Sequence, residues 1–345
     1  MKVLLYTEGL KAIGKSGLGH AIEHQKKALA LANVNYTLDN NDSYDILHIN
    51  TYFIKSYFVV KRAKRHGKKI VYHAHSTEED YINGFIFSRQ TAKFFKWWLV
   101  KCYMLGDVLV TPTEYSKKLI SSYKHLENKK IYSISNGIEL NFFERDEKLG
   151  KEFRKKYGFT KKDKVIIGIG LYIERKGIVD FVELAKRMPE YKFIWFGYSP
   201  LAAATKKVRD AVRTRLDNLQ FPGYVEQDEI KGALSGFPHF PFRIAFDLHL
   251  YIFPTLEETE GIPIIEACAC KTPSIIRDIP IFEGWLEDGK NVYKAKDVDE
   301  FELKIKKIID KELPDLTKEG YKIAKARDLK NVGKQLKEVY KSLEK

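Results

Sequence analysis

Hydrophobic positions in this chain come in short continuous runs, separated by longer segments in which apolar and polar residues recur at helical spacing. The runs predict a first set of strands at Val3–Thr7, Tyr44–Ile49, Lys69–Ala74, Asp107–Thr111 and Lys130–Ser135. A charged stretch, Phe143–Tyr157, follows, and a second set then begins: Lys164–Gly170, Lys192–Gly197, Asn218–Gly223, Leu248–Pro254 and Pro273–Arg277. Amphipathic segments fall between them, notably His20–Leu31, Ser116–Tyr123 and Gly177–Lys186. Strands alternating with helices predict an α/β protein with parallel sheets covered on both faces.

At 345 residues with 44% hydrophobic content, the chain can bury more than one core. Two doubly wound domains are expected, residues 1–158 and 159–325, with 326–345 as a closing helix. Ligands of such sheets sit at the strand carboxyl ends, so the expected site is a cleft between the halves. There is no run of about 18 uncharged apolar residues, so no membrane span is expected. The opening Met1–Tyr6 run reads as a strand, too short for a signal peptide. Cys102, Cys268 and Cys270 lack metal-ligand spacing and read as structural thiols of a reducing cytoplasm.

Net charge changes the picture because it is uneven. Of the formal +14, a surplus of +10 (16 Lys/Arg against 6 Asp/Glu) falls between Thr51 and Lys130. Such a patch calls for an anionic partner. The stretch Phe53–Arg65 sets aromatic and aliphatic residues beside Lys55, Lys61, Arg62, Lys64 and Arg65, and reads equally as a core-packed amphipathic helix or a membrane surface. The stretch Arg89–Lys101 carries Phe94, Phe95, Trp97 and Trp98 among Lys93, Lys96 and Lys101, too many aromatics for one buried stripe. Lys93, Phe94, Lys96, Trp97, Trp98 and Lys101 are therefore expected to meet an anionic bilayer.

The most informative segment is Glu258-Thr-Glu-Gly-Ile-Pro-Ile-Ile-Glu266, directly after the apolar strand. A Gly/Pro loop that opens a helix (expected at Ile264–Cys270) leaves backbone N–H groups for an anion, here with a carboxylate on either side. Amides around Gly261 and Ile262, in a turn shaped by Pro263, suit a diphosphate, and Glu258 and Glu266 suit diols: a nucleotide sugar. Three constellations belong with it. Gly17 and Gly19, before the first helix, admit close backbone approach to a phosphate or sugar, though a tight turn explains them as well. His73 and His75 end the strand Lys69–Ala74. Arg175 and Lys176, at a strand-to-helix turn, would place cations for a departing diphosphate, though a solvated basic turn explains them equally.

Together these residues resemble the family-four retaining glycosyltransferases of GT-B fold. The glutamate loop, Lys176-Gly177, Ser135-Asn136-Gly137-Ile138 and the histidine after Lys69–Ala74 carry the resemblance. It implies that Glu258 contacts the donor sugar, Glu266 the ribose, and Lys176 the diphosphate. It also implies that His75, with His73 as fallback, lies near the transferred hexose, and that Gly17 and Gly19 lie beneath the phosphates. Within the family, Glu8-Gly9, Lys15-Ser-Gly-Leu-Gly19 and His24-Gln25 are most similar to Gram-positive enzymes that glycosylate diacylglycerol or glucosyl-diacylglycerol.

The resemblance implies metal-independent, cofactor-free transfer of glucose or galactose from a UDP-sugar with retention, the acceptor attacking the face that the diphosphate leaves. The expected acceptor is monoglucosyl-diacylglycerol, giving a dihexosyl lipid of the lipoteichoic-acid anchor type, and the expected place is the inner face of the cell membrane. Diacylglycerol itself, or a soluble or cell-wall glycan, is the alternative acceptor. From other classes, a silent GT-B scaffold or a nucleic-acid binder would account for +14, but the latter leaves the glutamate loop unexplained; nucleic acid is not an expected partner. Two departures stand out. Leu171 occupies a position where many family members have arginine, leaving Arg175 to supply that cation, and Gly236–Phe246 reads as an insertion.

Overall fold

The structure, a computed structural model, describes residues 1–345 apart from 10–13, 15, 83, 85, 237–247 and 345. Lys15 and nearly all of the expected insertion Gly236–Phe246 thus lie outside the described residues. The chain forms two compact units. Residues 1–82, 89–139 and 327–345 make the first, and 83–88 with 140–326 make the second.

The first unit is built on six parallel strands: β1 (Val3–Tyr6), β2 (Tyr36–Thr37), β3 (Ile46–Ile49), β4 (Lys69–His73), β5 (Val108–Thr111) and β6 (Ile131–Ser133), in the order β2-β1-β3-β4-β5-β6. Both faces are covered, which is why the strands read as unbroken apolar runs. On one face Val60, Ala63, Leu99, Cys102 and Ile120, from three helices, pack on Leu4, Leu47, Ile70 and Leu109. On the other, the Gly17–Leu31 and Leu329–Lys341 helices bring Ala28, Leu29, Leu336 and Tyr340 onto Val3, Leu5 and Val71. A Cβ on Gly333 would stand 2.0 Å from the Ala28 carbonyl oxygen, so these two helices meet at backbone distance.

The second unit repeats the plan with β7 (Val165–Ile169), β8 (Lys192–Phe196), β9 (Leu219–Gly223), β10 (His249–Phe253), β11 (Ser274–Arg277) and β12 (Tyr293–Ala295). Their order, β12-β11-β10-β7-β8-β9, is parallel throughout. Phe181, Phe193 and Trp195 are among its fully buried residues. Strand order reverses between β7 and β10, and an open sheet of this kind receives its ligand beyond the carboxyl ends at that point.

All ten expected strands are present, with ends within two residues of the expected ones. Two were missed: β2 and β12, edge strands of two and three residues, too short to carry a pattern. The first junction falls at 139/140, ahead of the boundary expected at 158. The charged stretch there folds as the Glu147–Lys156 helix, and its buried Phe153 packs by Phe196 of β8 with ring centroids 6.1 Å apart.

Candidate functional site

In the second unit, the loops after β7 and β10 interlock at the switch point. Leu256 N–H donates to the Arg175 carbonyl at 2.7 Å, and Thr255 Oγ1 lies 3.1 Å from the same oxygen. Gly177 makes this possible. Its φ of +77° is left-handed, and a Cβ there would lie 2.1 Å from the Pro254 carbonyl oxygen. Lys176 is thereby set against the glutamate loop.

Glu258 is the centre of that contact. It is 6% exposed and accepts hydrogen bonds from Lys176 Nζ and, at 3.0 Å, from Thr255 Oγ1, while Arg175 stands 3.6 Å from its other oxygen. Burial pushes its carboxyl upward, but Lys176, Arg175 and these hydrogen bonds outweigh that and hold it below the usual carboxylate range. Two cations against one carboxylate leave the cluster one net positive charge. Arg175 is also held by a 2.9 Å bond to the Glu257 carbonyl.

Gly261 has φ +90° and caps the Ile262–Ala269 helix, which starts two residues earlier than expected, with Pro263 in its first turn. Proline has no N–H to lose there. Glu266 lies one turn further on, 6% exposed, and its carboxyl makes no hydrogen bond among the described residues. Burial alone pushes it up to about 8. A buried carboxyl without partners is costly unless a ligand supplies donors.

In the first unit, Gly17 and Gly19 have local reasons. The helix begins at Gly17, three residues earlier than expected, and its cap Ser16 accepts from Gly19 N–H at 3.4 Å. A Cβ on Gly19 would lie 2.3 Å from the Gly14 carbonyl oxygen, so this glycine serves a close approach within its own turn. His75, just beyond β4, is half-buried, with Nε2 3.1 Å from Asn50 Oδ1 and its ring stacked on His73 at 3.9 Å. Burial lowers His75 to about 3, so it is neutral at ordinary pH. His73, the fallback, is 4% exposed and sits within the fold.

The aromatic-basic helix is Ser88–Tyr103. Phe94 (68% exposed) and Trp97 (52%) stack at 5.5 Å on its outer side, flanked by exposed Lys93 and Lys101, the latter 5.8 Å over the Trp97 ring. Trp98 corrects the expectation. Its indole N–H donates to the Tyr52 carbonyl at 2.6 Å and its ring packs on Tyr57, so it belongs to the fold. Lys96 likewise turns inward, 2.9 Å from Glu78 and over the Tyr123 ring. The neighbouring Ile54–Arg65 helix adds exposed Ile54 and Phe58. Sequence reasoning missed Thr255 and Asn50, and it named Gln25 only within the resemblance, with no role; a glutamine on an otherwise apolar helix face was the available signal.

Residues 150–327 match the family described as glycosyl transferases group 1, and residues 20–142 match glycosyltransferase family 4. The chain is 38% identical over 343 residues to a processive diacylglycerol alpha-glucosyltransferase of Acholeplasma laidlawii, covering 99% of this chain and 98% of that one. It is 23% identical to the alpha-galactosylglucosyldiacylglycerol synthase of Streptococcus pneumoniae, over 70% of this chain and 63% of that one. Among solved structures, Anabaena HepE in complex with UDP-glucose superposes with a TM-score of 0.74 at 17% identity, covering 99% and 100% of the two chains. Sucrose-phosphate synthase of Thermosynechococcus elongatus gives 0.77 at 15%, covering 99% and 98%. These likenesses identify the GT-B fold of two Rossmann-like domains. With one family matched across the second unit, the other across much of the first, and a relative this similar over nearly its whole length, the chain belongs to the group 1, family 4 glycosyltransferases.

Proposed function

We propose that this glycosyltransferase moves glucose from UDP-glucose, with retention and without a metal, to a diacylglycerol-based acceptor, chiefly monoglucosyl-diacylglycerol. The observation that carries the acceptor is the 38% identity, end to end, with a processive diacylglycerol alpha-glucosyltransferase. The donor reading rests on the second unit. Glu266 takes the ribose hydroxyls, amides at Gly261 and Ile262 take the diphosphate, and Glu258 takes hydroxyls of the hexose. As the diphosphate leaves, negative charge grows on its oxygens, and Lys176 and Arg175, both held against Glu258, supply preorganised cations to stabilise it. The leaving phosphate takes the acceptor proton, and His75 meets a sugar hydroxyl. The first unit carries the acceptor and, through Phe94 and Trp97 with the lysines around them, sits on the inner face of an anionic membrane. No helix of the described residues is long and apolar enough to cross one.

The test is a vesicle assay with UDP-glucose or UDP-galactose as donor and diacylglycerol or monoglucosyl-diacylglycerol as acceptor, the lipids being separated afterwards. Dihexosyl lipid from UDP-glucose and the monoglucosyl acceptor is expected. Turnover on soluble glycans with none on lipid would sink the assignment, and faster use of UDP-galactose would change the sugar.

A further inference from the structure

Five polar side chains of the first unit form a directional chain that ends on His75. Asn50 Nδ2 donates to Gln25 Oε1 at 2.8 Å, which leaves Asn50 Oδ1 as the acceptor facing His75 Nε2 at 3.1 Å. An amide oxygen only accepts, so the proton on His75 must be on Nε2. The other end of Gln25 meets two histidine rings. Its Nε2 donates to His48 Nε2 at 2.9 Å and lies 3.3 Å from His73 Nδ1. His48 Nδ1 lies 2.6 Å from the Tyr340 hydroxyl on the Leu329–Lys341 helix, and His48 Nε2 lies 3.2 Å from His73 Nδ1. Gln25, His48 and Asn50 are each at most 4% exposed, so water does not scramble the chain. His75 Nδ1 has no hydrogen-bond partner among the described residues.

We propose that Asn50 and Gln25 are positioning residues that hold His75 in its Nε2–H tautomer, so that Nδ1 is presented as the acceptor of a sugar hydroxyl. The part concerning the sugar rests on the reading of His75 given above; the tautomer does not. The stacked His73 ring fixes the plane of His75, and the amide chain fixes which nitrogen is bare. The titratable groups beside His75 are His73 and His48, both kept neutral first by burial and then by His75, with His48 adding to the effect on His73. A sugar hydroxyl therefore meets a lone pair to which it donates over the whole working pH range, whereas a proton on Nδ1 would make the same hydroxyl turn and accept.

Nitrogen-15 histidine spectra of the whole protein test the tautomer directly, with His75 identified as the signal lost in His75→Gln. The Nε2–H pattern is expected; an Nδ1–H pattern overturns the proposal without any variant having to fold. Asn50→Asp tests the consequence. A carboxylate on Nε2–H favours the imidazolium, so the ratio of variant to wild-type kcat should fall about tenfold from pH 8 to pH 6. UDP affinity should stay within about twofold, since the nucleotide residues lie elsewhere. An unchanged kcat profile overturns the positioning role. Wild-type turnover in His75→Gln overturns the sugar contact, while the spectra still decide the tautomer on their own.

Discussion

Lys176 donates to the carboxylate of Glu258, and both side chains are nearly sealed from solvent, at 14% and 6% exposure. In the unliganded chain this pair, with Arg175 3.6 Å away, is a charge store that retains one positive charge. Lys176→Ala removes the closer cation from the leaving group. It should cost about 2–4 kcal/mol of transition-state stabilisation, roughly 30- to 1,000-fold in kcat. It also leaves a buried carboxylate with only the Thr255 hydroxyl and the more distant Arg175, so thermal stability should fall too. A near-wild-type kcat would move the leaving-group role to Arg175.

Gly177 is as important as the charges it positions. Alanine at φ +77° with its Cβ 2.1 Å from the Pro254 oxygen cannot be accommodated without separating the two loops. Gly177→Ala should lose about 1–3 kcal/mol of stability from backbone strain and should weaken UDP binding although no ligand-facing side chain has changed. Calorimetric unfolding together with UDP titration checks this; unchanged values for both would mean the loops are not coupled.

The second unit's site was legible because its parts are local. A strand, then two glutamates with seven residues between them and a Gly-Ile-Pro turn among those, announce themselves within one short segment, and Gly177 beside Lys176 does the same. Thr255 was not legible, since its contact with Glu258 depends on how the loop after β10 folds back over the Arg175 carbonyl. The His75 network was hidden for a stronger reason. Gln25, Asn50, His75 and Tyr340 come from four separate segments and meet only once the sheet and its closing helix have formed. Trp97 and Trp98 are adjacent in sequence, and helical geometry alone sends one outward and the other to Tyr52.

Glu266 predicts a proton release. Its folded carboxyl sits at about 8 rather than at its ordinary 4.5, so at pH 7 the unliganded protein holds a proton there. Hydrogen bonds donated by a ribose diol favour the ionised form and lower that value. UDP binding should then release up to about one proton at pH 7, read as a buffer-dependent enthalpy in calorimetry. Glu266→Gln should abolish the release and weaken UDP about 10- to 100-fold, the loss of hydrogen bonds to a charged group. The sign for stability is also fixed. A raised carboxyl stabilises the fold fully below pH 4.5 and loses that contribution as pH rises through 8. Relative to wild type, Glu266→Gln should therefore gain in melting temperature from pH 5 to pH 8. Proton release that persists in the variant would place the titrating group elsewhere.

The proposed chemistry uses cations of the chain, Lys176 and Arg175, where other transferases use a divalent ion. Activity on lipid acceptor should survive dialysis against EDTA within about twofold, allowing for salt effects on membrane attachment. Loss of turnover restored by magnesium or manganese would assign the diphosphate to a metal and return the Lys176–Glu258 pair to a structural role.

The exposed pair Phe94 and Trp97 and the tied residue Trp98 make opposite predictions, although they share one helix. Phe94 and Trp97 stack on each other in solvent, with Lys93 and Lys101 exposed beside them. Each surface cation near an acidic leaflet contributes roughly 1 kcal/mol, so these lysines and those of the Ile54–Arg65 helix, with two inserted rings, suffice for reversible attachment. Attachment should weaken with salt and require acidic lipid. Phe94→Ser/Trp97→Ser should abolish vesicle flotation and activity on lipid acceptor while preserving UDP affinity and melting temperature. Trp98→Ala should instead lower the melting temperature, because it opens a cavity beside Tyr57 and leaves the Tyr52 carbonyl without its indole donor, a loss of about 3–5 kcal/mol for a large aromatic. The contrast separates lipid contact from folding. Equal flotation of the double variant and wild type, or equal binding to neutral vesicles, would mean that this surface meets something other than an anionic membrane.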